Sequence, residues 1–191
     1  MTPSSATHRV VVARSRGMLT IFALVLFAAC GPNPDTVVAD RSPLLVEVVD
    51  GDTIVVSFPT GDVEPVRLLG IDTPETVDPT RPVQCFGREA STALESLLPP
   101  GAALRLERDV EARDRFGRLL AYVYRAEDNL FVNRALLHDG FADVAIYEPN
   151  EAYRSELTAA VTSARTRAAG LWEVCGGPDV PLNPDGSERL H

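Results

Sequence analysis

The chain contains no lysine. All 18 of its basic side chains are arginines, set against 27 aspartates and glutamates, and the formal net charge is −9. Genome composition alone can account for the choice of arginine. The charge balance excludes more: a protein that holds a polyanion over its whole surface is normally basic, because affinity scales with the phosphates neutralised. Any grip on a polyanion must therefore come from a few focused arginines and a bound metal. Histidine is almost as scarce. His8 lies near the N-terminus, His191 is the last residue, and His138 sits near a helix end, where a cation is favourable. The three cannot build a histidine-rich zinc site, and no Ser-His-Asp or Cys-His arrangement is evident. No internal repeat is visible.

Long apolar runs are also missing, with one exception. Arg9, Arg14 and Arg16 precede an uncharged stretch from Met18 to Ala29, which ends at Ala28-Ala29-Cys30. A basic segment, an apolar segment too short to span a bilayer comfortably and small residues at its end mark a secretory signal. Cysteine directly after Ala-Ala resembles the bacterial lipoprotein signal, in which that cysteine is lipidated and becomes the new N-terminus. Phe27 stands where leucine is usual. Ordinary cleavage near Ala29 or an uncleaved anchor are the alternatives. The expectation is a signal peptide over 1–29, lipidation at Cys30 and a polar tether over 30–43. The protein would then be exported and lipid-anchored to the cell membrane or an outer membrane, facing the extracytoplasmic side. Without the three signal arginines, 15 arginines remain against 27 acids.

Only three cysteines are present. With Cys30 assigned to lipid, Cys85 and Cys175 are left as an even pair in an oxidising compartment, which favours a disulfide. Two separate buried thiols are the alternative.

Periodicity gives the elements. Leu44 to Val49, Thr53 to Phe58 and Val63 to Ile71 read as strands, with Gly51 and Thr60-Gly61-Asp62 supplying turns. Ala90, Leu94, Leu97 and Leu98 recur at helical spacing until Pro99-Pro100-Gly101 stops the helix. Ala103 to Glu107 and Arg118 to Tyr124 are two more strands. Asn133 to Asp139 is a short helix ended by Gly140. A longer helix places Tyr153, Leu157, Val161, Ala164 and Ala168 on one face and stops at Gly170. The order βββ-α-ββ-α-α, with a helix between the third and fourth of five antiparallel strands, predicts a β-barrel with helices (α+β) on the OB-fold plan. That domain occupies residues 44–175, and 176–191, rich in Gly, Pro and Asn, reads as a loose tail.

The chemistry-bearing residues gather where these strands end. Val48 to Thr76 carries Asp52, Asp72 and Glu75 with Arg67, each beside an apolar, β-branched run. Clustered carboxylates bind a hard cation such as Ca²⁺ through oxygen, and a guanidinium grips phosphate in a two-pronged fork. Taken singly, each feature has a plainer reading. Asp50-Gly51-Asp52 is good turn chemistry, Asp72-Thr73-Pro74-Glu75 can start a helix or an Asx turn, and Arg67 and Arg118 can be solvated strand residues. Asp50 is the closest case: it either supports the metal from behind or only sets the turn.

Together these segments carry a resemblance. Val49 to Thr53 (Val-Asp-Gly-Asp-Thr), Arg67 to Glu75 (Arg-Leu-Leu-Gly-Ile-Asp-Thr-Pro-Glu), Gly87 to Ala90 (Gly-Arg-Glu-Ala), Asp114 to Tyr124 (Asp-Arg-Phe-Gly-Arg-Leu-Leu-Ala-Tyr-Val-Tyr) and Gly170 to Trp172 (Gly-Leu-Trp) resemble the staphylococcal nuclease (thermonuclease) family. The match runs in order through nearly all of residues 46 to 172. It implies that Asp52, Asp72 and the backbone carbonyl of Thr73 hold Ca²⁺. It implies that Glu75 orients or deprotonates the attacking water, and that Arg67 and Arg118 clamp the scissile phosphate. It further implies hydrolysis of DNA and RNA with little sequence preference, leaving a 3′-phosphate.

Some positions depart from the family. Phe116 replaces a tyrosine that contacts a substrate phosphate, so it can stack but cannot donate a hydrogen bond. The segment Ala145 to Asn150 is one residue shorter, which leaves Tyr147 as the base-stacking aromatic and puts Glu148 where a basic residue would help. Tyr122, Tyr124 and Trp172 read as packing residues. The sequence thus leads to an exported, tethered, Ca²⁺-dependent nuclease acting as a monomer. The alternative is a non-catalytic OB-fold module that binds an oligonucleotide, a peptide or an envelope partner.

Overall fold

Alternating and continuous β-branched runs drive the first half of the chain into strands, and the computed structural model describes residues 42–76 and 82–182 of it. The expected signal peptide, Cys30 and most of the tether lie outside the described residues. Three strands follow one another as hairpins: β1 (Leu44–Val48), β2 (Thr53–Ser57) and β3 (Val63–Leu68). β4 (Gly70–Asp72) comes next, then helix α1 (Gly87–Leu97), β5 (Leu104–Glu107) and β6 (Leu119–Arg125). The chain continues through β7 (Leu130–Phe131), α2 (Val132–His138), β8 (Asp143–Ala145), α3 (Arg154–Thr166) and the single turn α4 (Leu171–Val174).

The main sheet has the order β1-β2-β3-β6-β5, with β7 added beside β6. It curls on itself: a bridge joins Leu44 to Ala103, Leu45 N donates to Ala102 O at 2.9 Å and Leu104 N to Pro43 O at 2.8 Å. β5 thereby returns to β1, as the OB-fold plan requires. Its inside is apolar, with Ile54, Val56, Val66, Leu104, Ala121 and Val123 all buried. The helices close the ends of this core. α1 contributes Ala90 and Leu94, α2 Leu136 and Leu137, and α3 Leu157, Ala160, Val161 and Ala164, each set on one face at helical spacing.

Three features differ from the expectation of five antiparallel strands. First, the sheet is mixed: β3 and β6 run parallel, pairing Val66 with Leu119 and Arg67 with Leu120. Parallel neighbours need a long crossover, and α1 with β5 supplies it. Second, the expected strand Val63 to Ile71 breaks at Leu69. Gly70 adopts φ +77° and sends the chain into β4, which pairs with β8 instead. A Cβ on Gly70 would lie 2.4 Å from Leu157 Cδ1, so both the backbone conformation and the close approach demand glycine. Third, residues 176–182 are packed, where a loose tail over 176–191 was expected; 183–191 lie outside the described residues. Cys85 N donates to Val180 O at 2.8 Å, Leu182 N donates to Val83 O at 3.1 Å, and Val180 and Leu182 cover a small apolar cluster around Leu171. The cluster contains the Cys85–Cys175 disulfide, with Cα atoms 6.1 Å apart.

Tyr122 is buried and hydrogen-bonds Asp109 at 3.0 Å, while Tyr124 stacks on Phe131 with centroids 4.6 Å apart. Both serve packing. Among the described residues, no helix is long and apolar enough to cross a membrane.

Candidate active site

Strand ends meet on one side of the sheet. Thr53 at the start of β2 pairs with Arg67 near the end of β3, and Arg67 pairs in turn with Leu120, two residues beyond Arg118. The break at Gly70 then turns the chain so that Asp72 comes back against Arg67. A cavity of about 580 Å³ results, lined by Asp50, Asp52, Arg67, Asp72, Thr73 and Glu75 on one side and by Arg115, Phe116 and Arg118 on the other.

Asp52 is the centre of the network and is almost wholly buried. One carboxylate oxygen, Oδ1, takes Arg67 Nε at 3.0 Å and the Thr53 hydroxyl at 3.1 Å. The other, Oδ2, accepts from the Thr73 N–H at 3.0 Å and the Thr73 hydroxyl at 3.1 Å. Gly51 lets the two segments meet, since a Cβ there would lie 2.6 Å from Thr73 Oγ1. Arg67 bridges to Asp72 Oδ1 through Nη2 at 2.9 Å, and its Nη1 donates to the carbonyls of Leu68 and Ile71, both at 2.9 Å. Those carbonyls flank the break between β3 and β4, so the guanidinium ties the two strand ends together.

Asp50 sets the turn, since its Oδ1 accepts from the Asp52 N–H at 3.0 Å. It also lines the cavity. Burial, reinforced by the charge of Asp52, pushes the Asp50 carboxyl up to about 6. Burial likewise raises Asp52, with the Arg67 guanidinium pulling the other way. These two neighbouring carboxylates are held against their preference for water.

Arg118 is fixed from behind. Its Nε donates to Asp114 Oδ2 at 2.7 Å, and Asp114 Oδ1 accepts from the backbone N–H groups of Phe116 and Arg118, both at 2.9 Å. Burial alone would raise Asp114, but these hydrogen bonds outweigh it and hold the carboxyl below its usual range. Arg118 Nη1 lies 3.4 Å from the Thr53 hydroxyl, so Thr53 links Asp52 to Arg118. Glu75 Oε1 accepts from the Thr76 N–H at 2.8 Å. Phe116 is 69% exposed and stands beside the guanidiniums of Arg115 and Arg118, whose carbons lie 4.7 and 5.6 Å from its ring centre.

Asp52, Arg67, Asp72, Thr73, Glu75, Phe116 and Arg118, all expected from the sequence, thus line one cavity. Tyr147 does not line it. It is 76% exposed and borders an adjoining cavity of about 540 Å³ that shares Arg67, Arg115, Phe116 and Arg118 and also contains Glu111 and Glu148. Cys30 lies outside the described residues. Sequence reasoning missed Thr53, Asp114 and Arg115. Asp114 was within reach, because Asp at the head of Asp-Arg-Phe-Gly is an Asx-turn signal four residues before Arg118.

A bound calcium would require hard oxygen donors. Asp50, Asp52 and Asp72, with the Thr73 backbone, supply only oxygen, and the raised carboxyls would be relieved by a cation. In donor chemistry the residues fit. Among the described residues, however, no three acidic, histidine or cysteine side chains converge on one point, because Arg67 lies between Asp52 and Asp72.

A curled OB-fold sheet carrying carboxylates and two anchored guanidiniums on one rim defines a class of protein built to meet a phosphate. Residues 65–174 match the family model described as staphylococcal nuclease homologue. The chain is 41% identical to a thermonuclease of Staphylococcus intermedius over 159 residues, 81% of this chain and 92% of that protein. It is 38% identical to a thermonuclease of Staphylococcus hyicus over 128 residues, 67% of this chain and 73% of the relative. An SPbeta prophage-derived endonuclease of Bacillus subtilis is 42% identical over 134 residues, 69% of this chain and 44% of its own length. This chain belongs to the staphylococcal nuclease family.

Proposed function

We propose that the protein is a Ca²⁺-dependent nuclease that hydrolyses phosphodiester bonds of DNA and RNA with little sequence preference. It leaves a 3′-phosphate and works outside the cytoplasm, tethered through lipid on Cys30. The observation that carries the reading is the meeting of Asp52, Asp72, Glu75, Arg67 and Arg118 around one cavity. A binding module needs no such set.

Attack of water on a phosphodiester builds negative charge on the equatorial oxygens, and preorganised cations offset it. Arg118 is suited to this because Asp114 holds its Nε and leaves its outer end, where the Thr53 hydroxyl approaches Nη1 only at 3.4 Å, for phosphate oxygens. Arg67 approaches the phosphate from the other strand, already oriented by Asp52 and by the two backbone carbonyls. Glu75 orients the water and accepts its proton as the new P–O bond forms; the P–O5′ bond breaks, the phosphate stays on the 3′-oxygen and the departing 5′-oxygen takes a proton from solvent. Asp52, Asp72 and the Thr73 carbonyl would hold Ca²⁺, which when bound adds positive charge beside the phosphate. Phe116 and Tyr147 offer exposed ring faces for bases, a sequence-tolerant contact because every base has a π-face. The overall negative charge is consistent with a grip confined to this rim.

The second reading, a non-catalytic OB-fold module, draws on Glu148 beside Tyr147 and on Phe116 in place of a hydroxyl-bearing ring. One assay separates the two. Purified protein incubated with single-stranded DNA or RNA should cleave both in millimolar Ca²⁺ and stop on chelation. Binding without cleavage would favour the module.

A further inference from the structure

One buried polar side chain next to the cavity takes no part in the steps above. Gln84 is 7% exposed, and both ends of its amide are used. Its Oε1 accepts from the Glu75 N–H at 2.7 Å, and its Nε2 donates to Asp179 Oδ1 at 3.0 Å. Its own backbone N–H donates to the Glu75 carbonyl at 2.9 Å. Glu75 belongs to an irregular stretch after β4, so no strand ladder or helix fixes its backbone. One residue holds both its peptide N–H and its carbonyl.

Gln84 is itself held firmly. The next residue, Cys85, is bonded to Cys175, and the strap 179–182 runs antiparallel alongside it through the Gln84–Pro181 bridge and the bonds of Cys85 and Val83 to Val180 and Leu182. The apolar cluster around Leu171 anchors that strap. Helix α1 presses on the same point: a Cβ on Gly87 would lie 2.9 Å from the Pro74 carbonyl oxygen and 3.2 Å from that of Glu75.

We propose that Gln84, braced from behind by Asp179 on the C-terminal strap, is the positioning residue for Glu75. The inference rests on the nuclease reading, which makes Glu75 the group that handles water. An amide is the side chain that suits the place, because it accepts at one end and donates at the other. A carboxylate at position 84 could still accept from Glu75 N–H but would face Asp179 with like charge. Positioning matters because a displacement of about 1 Å at a reacting group can cost on the order of a hundredfold in rate. The phosphate-binding arginines are fixed by Asp52 and Asp114, independently of the strap. Losing the brace should therefore lower turnover and spare binding.

The test is steady-state cleavage of single-stranded DNA by the full chain at saturating Ca²⁺, with affinity for a short 3′-phosphorylated oligonucleotide measured alongside. Gln84→Ala should lower kcat by about tenfold or more, with KM and oligonucleotide affinity essentially unchanged. Asp179→Ala should lower kcat in the same direction, and Asp179→Asn should restore it, because an asparagine oxygen still accepts from Gln84. Gln84→Glu should behave like the loss variants. If Gln84→Ala fails to fold, the Asp179 pair decides. An active parent with Gln84→Ala or Asp179→Ala at the parent kcat would overturn the proposal. So would Asp179→Asn no better than Asp179→Ala, or kcat and affinity falling together. A parent that cleaves nothing would overturn the nuclease reading itself, and this inference with it.

Discussion

Arginine and lysine carry the same charge, so exchanging them isolates geometry. Arg67 donates in four directions at once, to Asp52, Asp72 and two backbone carbonyls, and Arg118 is locked by Asp114 through Nε. A lysine has no planar fork and cannot reproduce either arrangement. Arg67→Lys and Arg118→Lys should each reduce turnover by well over tenfold, since removing one preorganised donor costs on the order of 10²–10³ in rate. Steady-state kinetics on a fixed oligonucleotide checks this. The two aspartates proposed to hold Ca²⁺ should separate in a different experiment. Asp52 has a 9% exposed side chain and Asp72 a 50% exposed one. Calorimetry should find Ca²⁺ binding weakened by both Asp52→Ala and Asp72→Ala, with the barrel still folded. Only Asp52→Ala should also cost stability, about 1–3 kcal/mol, because it leaves Arg67 Nε and the Thr73 N–H without their buried acceptor. At this scale the sequence was informative wherever a residue's role follows from its type. It was silent on Thr53 and Gln84, whose roles come from what the fold brings to them, Arg118 Nη1 at 3.4 Å from the Thr53 hydroxyl and the Glu75 N–H at 2.7 Å from Gln84 Oε1.

Most elements with strong periodicity were legible within a residue or two, but α3 is shorter than expected, running from Arg154 to Thr166, and Ala168, at φ +48°, has left the helix before Gly170. α1 ends before Pro99-Pro100 as its sequence requires, and α3 follows the face set by Leu157, Val161 and Ala164. Pairing was less so. Nothing local distinguishes a strand that continues past Leu69 from one that breaks there, because Gly70 is compatible with both until Leu157 packs against it. The short β7 and β8 likewise exist only through their partners β6 and β4. The strap 179–182 has a composition typical of loops, and it is ordered by the disulfide and the cluster beneath it rather than by its own propensity. That bridge spans 90 residues of sequence. A loop of that length gives an unfolded-state entropy contribution of about 4–5 kcal/mol. Cys175→Ser in denaturant titration should lower unfolding free energy by roughly that amount, and a loss near zero would mean the bridge constrains little.

Over the whole molecule, an acidic domain cleaving an acidic polymer requires that recognition be local. The described arginines are largely committed to acids: Arg105 to Glu107, Arg113 to Glu64, Arg125 to Asp128 and Arg134 to Glu156. Arg67 and Arg118 are paired with acids as well, so with Arg115 they meet a polyanion at one rim as a preorganised set rather than as surplus charge. Tethering by lipid at Cys30 would keep such a protein at a surface, and Cys30→Ser should move it from the detergent phase to the aqueous phase or leave it uncleaved. Unchanged partition with no acyl mass on the mature protein would contradict the anchor. The central claim is that this rim hydrolyses phosphodiesters with Glu75 acting on water. It is tested most directly by single-turnover cleavage of single-stranded DNA in saturating Ca²⁺, comparing the parent with Glu75→Gln. The account predicts cleavage by the parent and a loss on the order of 10² or more in the variant, whose fold and DNA affinity are retained. A parent that leaves DNA and RNA intact, or a Glu75→Gln variant as fast as the parent, would contradict it.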